Sequence, residues 1–219
     1  MGRTVTAIPV EAPSRKASRA HRRQQLIDAT IETIAKRGYA QTTMTDVAAT
    51  AGVSHGLVNF HFETKEKLLT ETLLVLAAEY RANWTSALAA AAPDPASQLD
   101  ALILADFNDA IYTKNKLNAW CAFWGEAQSR PLYQSKCGAN DLEYIRNLEL
   151  ICEGLASAGG YEINPKRAAR VLRVTVEGLW LDLQSMAEPY SKGEALATAY
   201  TCAAAFFGKH FTADGMIRR

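Results

Sequence analysis

Within TDVAATAGVSHGLVNFHF, residues 45 to 62, a small residue, a glycine and a β-branched residue stand at Ala48, Gly52 and Val58. This triplet narrows the fold more than any other feature of the chain. Two helices that cross closely around a tight turn need a small side chain at the crossing, a residue free to take positive φ at the turn, and an apolar anchor from the second helix. Val47, Val53 and Leu57 are available to close the small core beneath them. A hydroxyl at Thr45 is expected to cap the second helix, which runs through residue 51, and one at Ser54 the third, which runs to about residue 62.

The surrounding periodicity is helical throughout. Leu26, Ile27, Ile31, Ile34 and Ala35 make one stripe over residues 19 to 37, which Gly38 can end with a left-handed cap. A long helix over 65 to 92 carries Leu68, Leu69, Leu73, Leu76, Tyr80 and Trp84. At 1.5 Å per residue it spans roughly 40 Å, enough to join two bodies. Further helices are expected at about 96–112, 116–129, 131–157, 165–187 and 192–211, separated by Pro, Gly and Asn breaks. The fold class is therefore all-α with about nine helices. Its expected organisation is a basic arm at 1–18, a three-helix helix-turn-helix domain at 19–64, and a larger helical domain for ligand binding and dimerisation at 65–219.

Charge is unevenly placed. Through residue 70 there are ten Lys or Arg against six acids, a balance of +4, and the remainder carries −3. Only the front segment is suited to a polyanion. Cys121, Cys137, Cys152 and Cys202 lie far apart with no C-x-x-C pair, which argues against a zinc ribbon and fits thiols in a reducing cytosol. With no signal-like start and no run of about 18 apolar residues, a soluble, cytoplasmic protein is expected. No nucleophile elbow, H-E-x-x-H or phosphate loop is present, so neither catalysis nor a cofactor or metal is expected.

If Val53, Leu57 and Val58 turn inward, His55, Asn59 and Phe60 fall on the outer face of the third helix. Asn pairs bidentately with adenine, His bonds a base edge, and Phe packs on a thymine methyl. Thr43, Thr45, Ser54 and Lys65 flank that face with hydroxyls, helix N-terminal N–H groups and a cation, which suit phosphate oxygens. Arg15, Lys16, Arg19, Arg22 and Arg23 could add phosphate contacts or form a solvated tail. One such helix buries too little for tight binding. A homodimer on near-palindromic DNA, with recognition helices about 34 Å apart, is therefore expected. Leu172, Val176, Leu179, Leu183, Ala199, Ala203, Phe206 and Phe207 on the last two helices would supply a four-helix interface.

TTMTDVAATAGVSHGLVNFHFETKEKLL, preceded by RRQQLIDATIETIAKRGY, resembles the N-terminal domain of TetR-type transcriptional repressors over roughly residues 22 to 69. The resemblance implies a phosphate contact at His61 and a core role for Phe62. That family's usual tyrosine in the third helix is replaced by Asn59, so the tyrosine's contacts do not carry over.

The back half suggests a cation site. Trp120 and Trp124 share one helix face at i and i+4, and Glu177 and Trp180 share another at i and i+3. A quaternary ammonium has no N–H to donate and is held by ring quadrupoles with a counter-charge. Tyr133 and Phe123 could complete a cage, while Asp106 and Asp109 fit a solvated face. The bland alternative is that these indoles only fill the core. AWCAFW, Pro131-Leu132-Tyr133 and EGLWL are similar to the choline-responsive repressors of glycine betaine synthesis, the BetI group of that family. This resemblance implies choline as inducer, bound by Trp120, Trp124, Tyr133, Glu177 and Trp180. A repressor of efflux or lipid genes answering to another small molecule, a DNA-binding protein with no ligand, and an enzyme acting on a cationic substrate remain as alternatives.

Overall fold

The computed structural model describes residues 15–127 and 131–218, with side chains over 18–125 and 134–218. In the described residues the chain forms α1 (Arg15–Arg37), α2 (Met44–Ala51), α3 (His55–Phe62), α4 (Lys65–Ala90), α5 (Pro95–Asp106), α6 (Lys114–Ala127), α7 (Pro131–Gly159), α8 (Pro165–Ser185) and α9 (Lys192–Phe207). A two-residue antiparallel hairpin follows, β1 (Phe211–Thr212) with β2 (Gly215–Met216), in which Phe211 pairs with Met216. The all-α class and the helix-turn-helix front are as the sequence pattern requires.

The front module forms because its local signals agree with its core. Thr43, rather than the expected Thr45, caps α2. Its hydroxyl accepts from Asp46 N, and the Asp46 carboxylate accepts from Thr43 N, a reciprocal box that fixes the helix start two residues earlier. Gly52 ends α2 at φ +67, and its N–H reaches back to Ala49 O, so the turn uses a conformation costing a residue with a Cβ about 1–2 kcal/mol. Ser54 holds the N-cap position of α3 but makes no side-chain capping bond, leaving its hydroxyl outward. Val47, Ala48, Val58 and Phe62 close against Leu26, Ile27 and Ile34 of α1, all buried.

Helix α1 begins at Arg15, four residues before the expected start. Helix α4 then runs out of the module: Leu68, Leu69 and Leu73 belong to its core, and Leu76, Ala77 and Trp84 to the larger body. The most extensive helix-to-helix contact in the described residues is nevertheless α1 against α6. The ring of Tyr39, after α1, meets the ring of Phe123 edge-on at 5.5 Å. The two bodies are thus joined by α4 covalently and by α6 through packing.

Three departures from the periodicity have local causes. Helix α5 stops at Asp106 rather than near 112, because Asn108 Oδ1 accepts from Ala110 N in an Asx turn. Helix α9 stops at Phe207, because Phe211 turns into a strand whose ring, 1% exposed, packs on Tyr200. The apolar residues expected to face a symmetry mate mostly serve the chain's own core: Leu172, Val176, Leu179, Ala199, Ala203 and Phe207 are buried, and Leu183 and Phe206 are partly so. The apolar side chains that α8 turns outward are Val171, Val174 and Leu181. No helix among the described residues is long and apolar enough to cross a membrane.

Candidate functional site

At the front of the molecule, α3 presents His55, Asn59 and Phe60 on one exposed edge, with Phe60 65% exposed. Asn59 Nδ2 lies 3.3 Å from His55 Nδ1, so the two side chains orient one another across a helical turn. The Arg19 guanidinium stands 5.5 Å from the Phe60 ring centroid, bringing positive charge from α1 beside this edge. Thr43, Thr45 and Ser54 lie exposed at the starts of α2 and α3. Lys65 is partly engaged already, donating to Ala40 O at 2.8 Å. Arg23 is not a free cation: it pairs with Glu71, donates to His61 O at 3.0 Å and lies 4.5 Å over the buried Phe62 ring. It fastens α1 to the α3–α4 junction.

His61 is half-buried, and its Nδ1 has no hydrogen-bond partner among the described residues. Burial, reinforced by Arg19, Arg23 and Arg22, holds its pKa below the ordinary histidine value. The ring is therefore neutral near pH 7 and offers a phosphate only a neutral N–H. Just after it, Glu63 takes φ +61 and ψ −48 while Thr64 N donates to Phe62 O, a tight γ-turn that sets the angle between α3 and α4.

In the larger body, a cavity of about 360 Å3 opens between α4, the end of α5, α6, α7 and α8, at the lower end of ordinary ligand pockets of about 300–1,000 Å3. All four tryptophans of the chain line it: Trp84, Trp120, Trp124 and Trp180. Tyr80, Trp120, Trp124 and Trp180 form a closed circuit of rings, with successive centroids 6.3, 6.1, 6.3 and 5.7 Å apart. Trp124 and Trp180 lie parallel within 5°. Tyr144 extends the circuit from Tyr80 to Trp84. Such spacing lets one cation face several rings within the roughly 6 Å over which a ring quadrupole attracts it.

Four of the five residues expected to bind a ligand meet here: Trp120, Trp124, Glu177 and Trp180. The Tyr133 side chain lies outside the described residues. Phe123, expected to complete the cage, does not reach it: it is buried on the other side of α6, against Tyr39 and the front module. Asp106 also departs from its expected place. Far from a solvated face, it is 2% exposed and lines the cavity, where its oxygens accept from Tyr80 Oη at 2.8 Å and Tyr144 Oη at 3.0 Å. Asp109 is exposed and pairs with Lys192. Glu177 is paired with Arg173 at 2.5 Å, and Arg81 holds Glu143 through two bonds of 2.8 Å.

Sequence reasoning missed Tyr80, Tyr144, Trp84 and Asp106. Signals existed for three of them: Tyr80 and Trp84 stand at i and i+4, and Asp106 interrupts an apolar run, ALILADF. A helical stripe does not say which of its aromatics faces a cavity and which fills a core.

Burial raises the Asp106 pKa to about 7, although both tyrosine hydrogen bonds pull it down. In the unfolded chain it titrates at about 3.9. The native state therefore binds the extra proton between these values, and unfolding free energy falls as pH rises from about 4 to about 7, then levels off. Wild type should lose on the order of 4 kcal/mol across that window relative to Asp106→Asn, which has no such proton to lose. Urea melts of both proteins at pH 4 and pH 8 measure this, and parallel changes would contradict it.

The sequence family described as "Bacterial regulatory proteins, tetR family" matches residues 26–72, and "BetI-type transcriptional repressor, C-terminal" matches residues 95–208. The HTH-type transcriptional regulator BetI of Paraburkholderia xenovorans (strain LB400) is 33% identical over 178 residues, covering 81% of this chain and 89% of that protein. The regulator of the same name from Burkholderia lata is 31% identical over 179 residues, covering 82% and 90%. Among solved structures, one described as a transcriptional regulator from Pseudomonas aeruginosa PAO1 superposes with a TM-score of 0.71 at 25% identity, covering 86% of this chain and 91% of that one. Another, from Saccharomonospora viridis and in complex with choline, superposes with a TM-score of 0.73 at 16% identity, covering 91% and 100%.

Proposed function

The chain belongs to the TetR family of bacterial regulatory proteins, with the C-terminal domain of the BetI-type repressors, and from this premise we propose that it is a choline-responsive repressor that binds operator DNA as a dimer in the cytoplasm. The observation that carries the ligand is the gathering of all four tryptophans around one cavity that also holds carboxylates. Choline is a small cation whose methyl groups meet ring faces and whose charge needs an anion. An open cavity of this size is not the filled core expected of a regulator without a ligand, and because the lining cations Arg81 and Arg173 are paired with Glu143 and Glu177, it is poorly suited to an anionic acyl compound. The choline bound by the fold-related Saccharomonospora protein supports the same reading. Because every tryptophan lines the cavity, quenching of intrinsic fluorescence reads it directly. Saturable quenching by choline is the expected result, and no change up to millimolar choline would refute this ligand.

Operator reading falls to the His55–Asn59–Phe60 edge, with Thr43, Thr45, Ser54, His61 and Lys65 set against phosphates. Two such edges are needed, and the dimer that supplies them forms on the outward face of α8. Val171, Val174 and Leu181 lie on one helical face, with exposed Gly178 between them permitting close approach. Val174→Glu should place a charge in that contact and yield a monomer by light scattering at micromolar concentration, with operator binding lost. A dimer of unchanged affinity would move the interface elsewhere.

Ligand and operator communicate through α6 and α4. Helix α6 carries Trp120 and Trp124 on the cavity and Phe123 on the front module, while α4 carries Tyr80 and Trp84 and continues into that module. A ligand that draws the rings together shifts both helices and changes the separation of the two reading edges. A coupling of about 1–3 kcal/mol weakens operator binding roughly 5- to 150-fold.

A further inference from the structure

The cavity holds an acid whose role the cage alone does not explain. Asp106 is at the end of α5 with both oxygens hydrogen-bonded by phenols, yet among the described residues no cation bonds it. The charged groups around it are accounted for on every side. From α4, Arg81 is committed to Glu143; from α8, Arg173 is committed to Glu177; Asp141 of α7 stands exposed at the rim; α6 contributes only uncharged indoles, and α9 only Ala199. Glu177, the carboxylate the sequence favoured, already has a counter-ion.

We propose that Asp106, rather than Glu177, supplies the negative charge that meets the ligand's quaternary nitrogen, releasing a proton to solvent as the cation enters. This inference rests on the choline reading above and identifies the chemistry that selects the ligand. Without a ligand, burial keeps the acid largely protonated below pH 7, since its pKa stands at about 7. The protonated acid donates to one phenol, whose hydroxyl hydrogen turns away from the arrangement in which both phenols donate across the same 2.8 and 3.0 Å separations. A cation in the cage makes the ionised form favourable, and both phenols turn to donate to it, so the charge is solvated by groups already in place. The proton leaves to water, and cavity and ligand together remain close to neutral.

This arrangement distinguishes ligands by charge rather than by shape. Choline and its aldehyde bring one positive charge to an acid that can match it. Glycine betaine has the same trimethylammonium head but adds a carboxylate, which would enter beside Asp106, Asp141 and Glu177, where the two cations of the lining, Arg81 and Arg173, are already paired with Glu143 and Glu177. The cavity is therefore specific for the cations and rejects the zwitterion. A neutral molecule of choline's shape, 3,3-dimethylbutan-1-ol, would bind without displacing the proton.

Calorimetry of the full chain in buffers of different ionisation enthalpy counts the protons released per ligand. At pH 6, where Asp106 is about nine-tenths protonated, choline should release about 0.9 proton, falling towards zero by pH 9. Choline affinity should rise by up to about tenfold per pH unit below pH 7 and level off above it. The neutral alcohol should release none. Asp106→Asn should bind choline more weakly and without linked protons, whereas Glu177→Gln should keep the proton release whatever its affinity. Choline binding at pH 6 with no proton released, release that survives Asp106→Asn, or betaine bound as tightly as choline would overturn the assignment while leaving the choline response standing. Absence of binding by choline and by tetramethylammonium across the pH range would overturn both.

Discussion

Changing His55 and Asn59 together to alanine will weaken operator binding by about 2–6 kcal/mol over two half-sites, roughly 30-fold to ten-thousand-fold. Each side chain is exposed on α3, and neither contributes to the buried core of Val47, Val58 and Phe62. Alanine is also the better helix former, so the melting temperature should hold or rise slightly. The salt dependence of the remaining binding should be unchanged, because base-edge contacts displace no phosphate counterions. DNA footprinted upstream of the protein's own gene is the substrate for this measurement. A folded variant with undiminished affinity would remove the reading edge from the account.

Trp124→Ala is expected to weaken choline binding by about 2 kcal/mol, roughly 30-fold, through loss of a desolvated ring face. Trp124 is the least buried member of the Trp120–Trp124–Trp180 set, so its removal should disturb the fold less than loss of either partner. It lies parallel to Trp180, and the circuit of rings opens without it. Operator affinity in the absence of choline should not change, since the α6 side chain facing the front module is Phe123. Equal choline affinity in the variant would mean that the indoles are core and not cage.

The front module was legible because its signals are local. Ala48, Gly52 and Val58 are separated by a few residues, and their spacing states a geometry that few other folds use. Even there, the choice of Thr43 over Thr45 as cap depended on a side chain three residues on, Asp46, answering it. The helices of the body were readable from period alone, but their ends at Asp106 and Phe207 were set by an Asx turn and a two-residue hairpin, which an apolar stripe conceals. The cavity was half legible. Pairs on one helix, such as Trp120 with Trp124, declare themselves by spacing; partners from other helices, such as Tyr80, Tyr144 and Asp106, meet only through tertiary packing. The same limit applies to the dimer face proposed on α8. The sequence identified α8 and α9 as rich in apolar residues but did not say that Leu172 and Val176 face inward while Val171 and Val174 face out.

The link between the two sites is the central claim, and operator affinity measured with and without choline tests it most directly. On its own footprinted DNA, the protein with saturating choline at pH 8 should bind roughly 5- to 150-fold more weakly than without it. The same affinity in both conditions, with choline binding verified by tryptophan quenching, would contradict it.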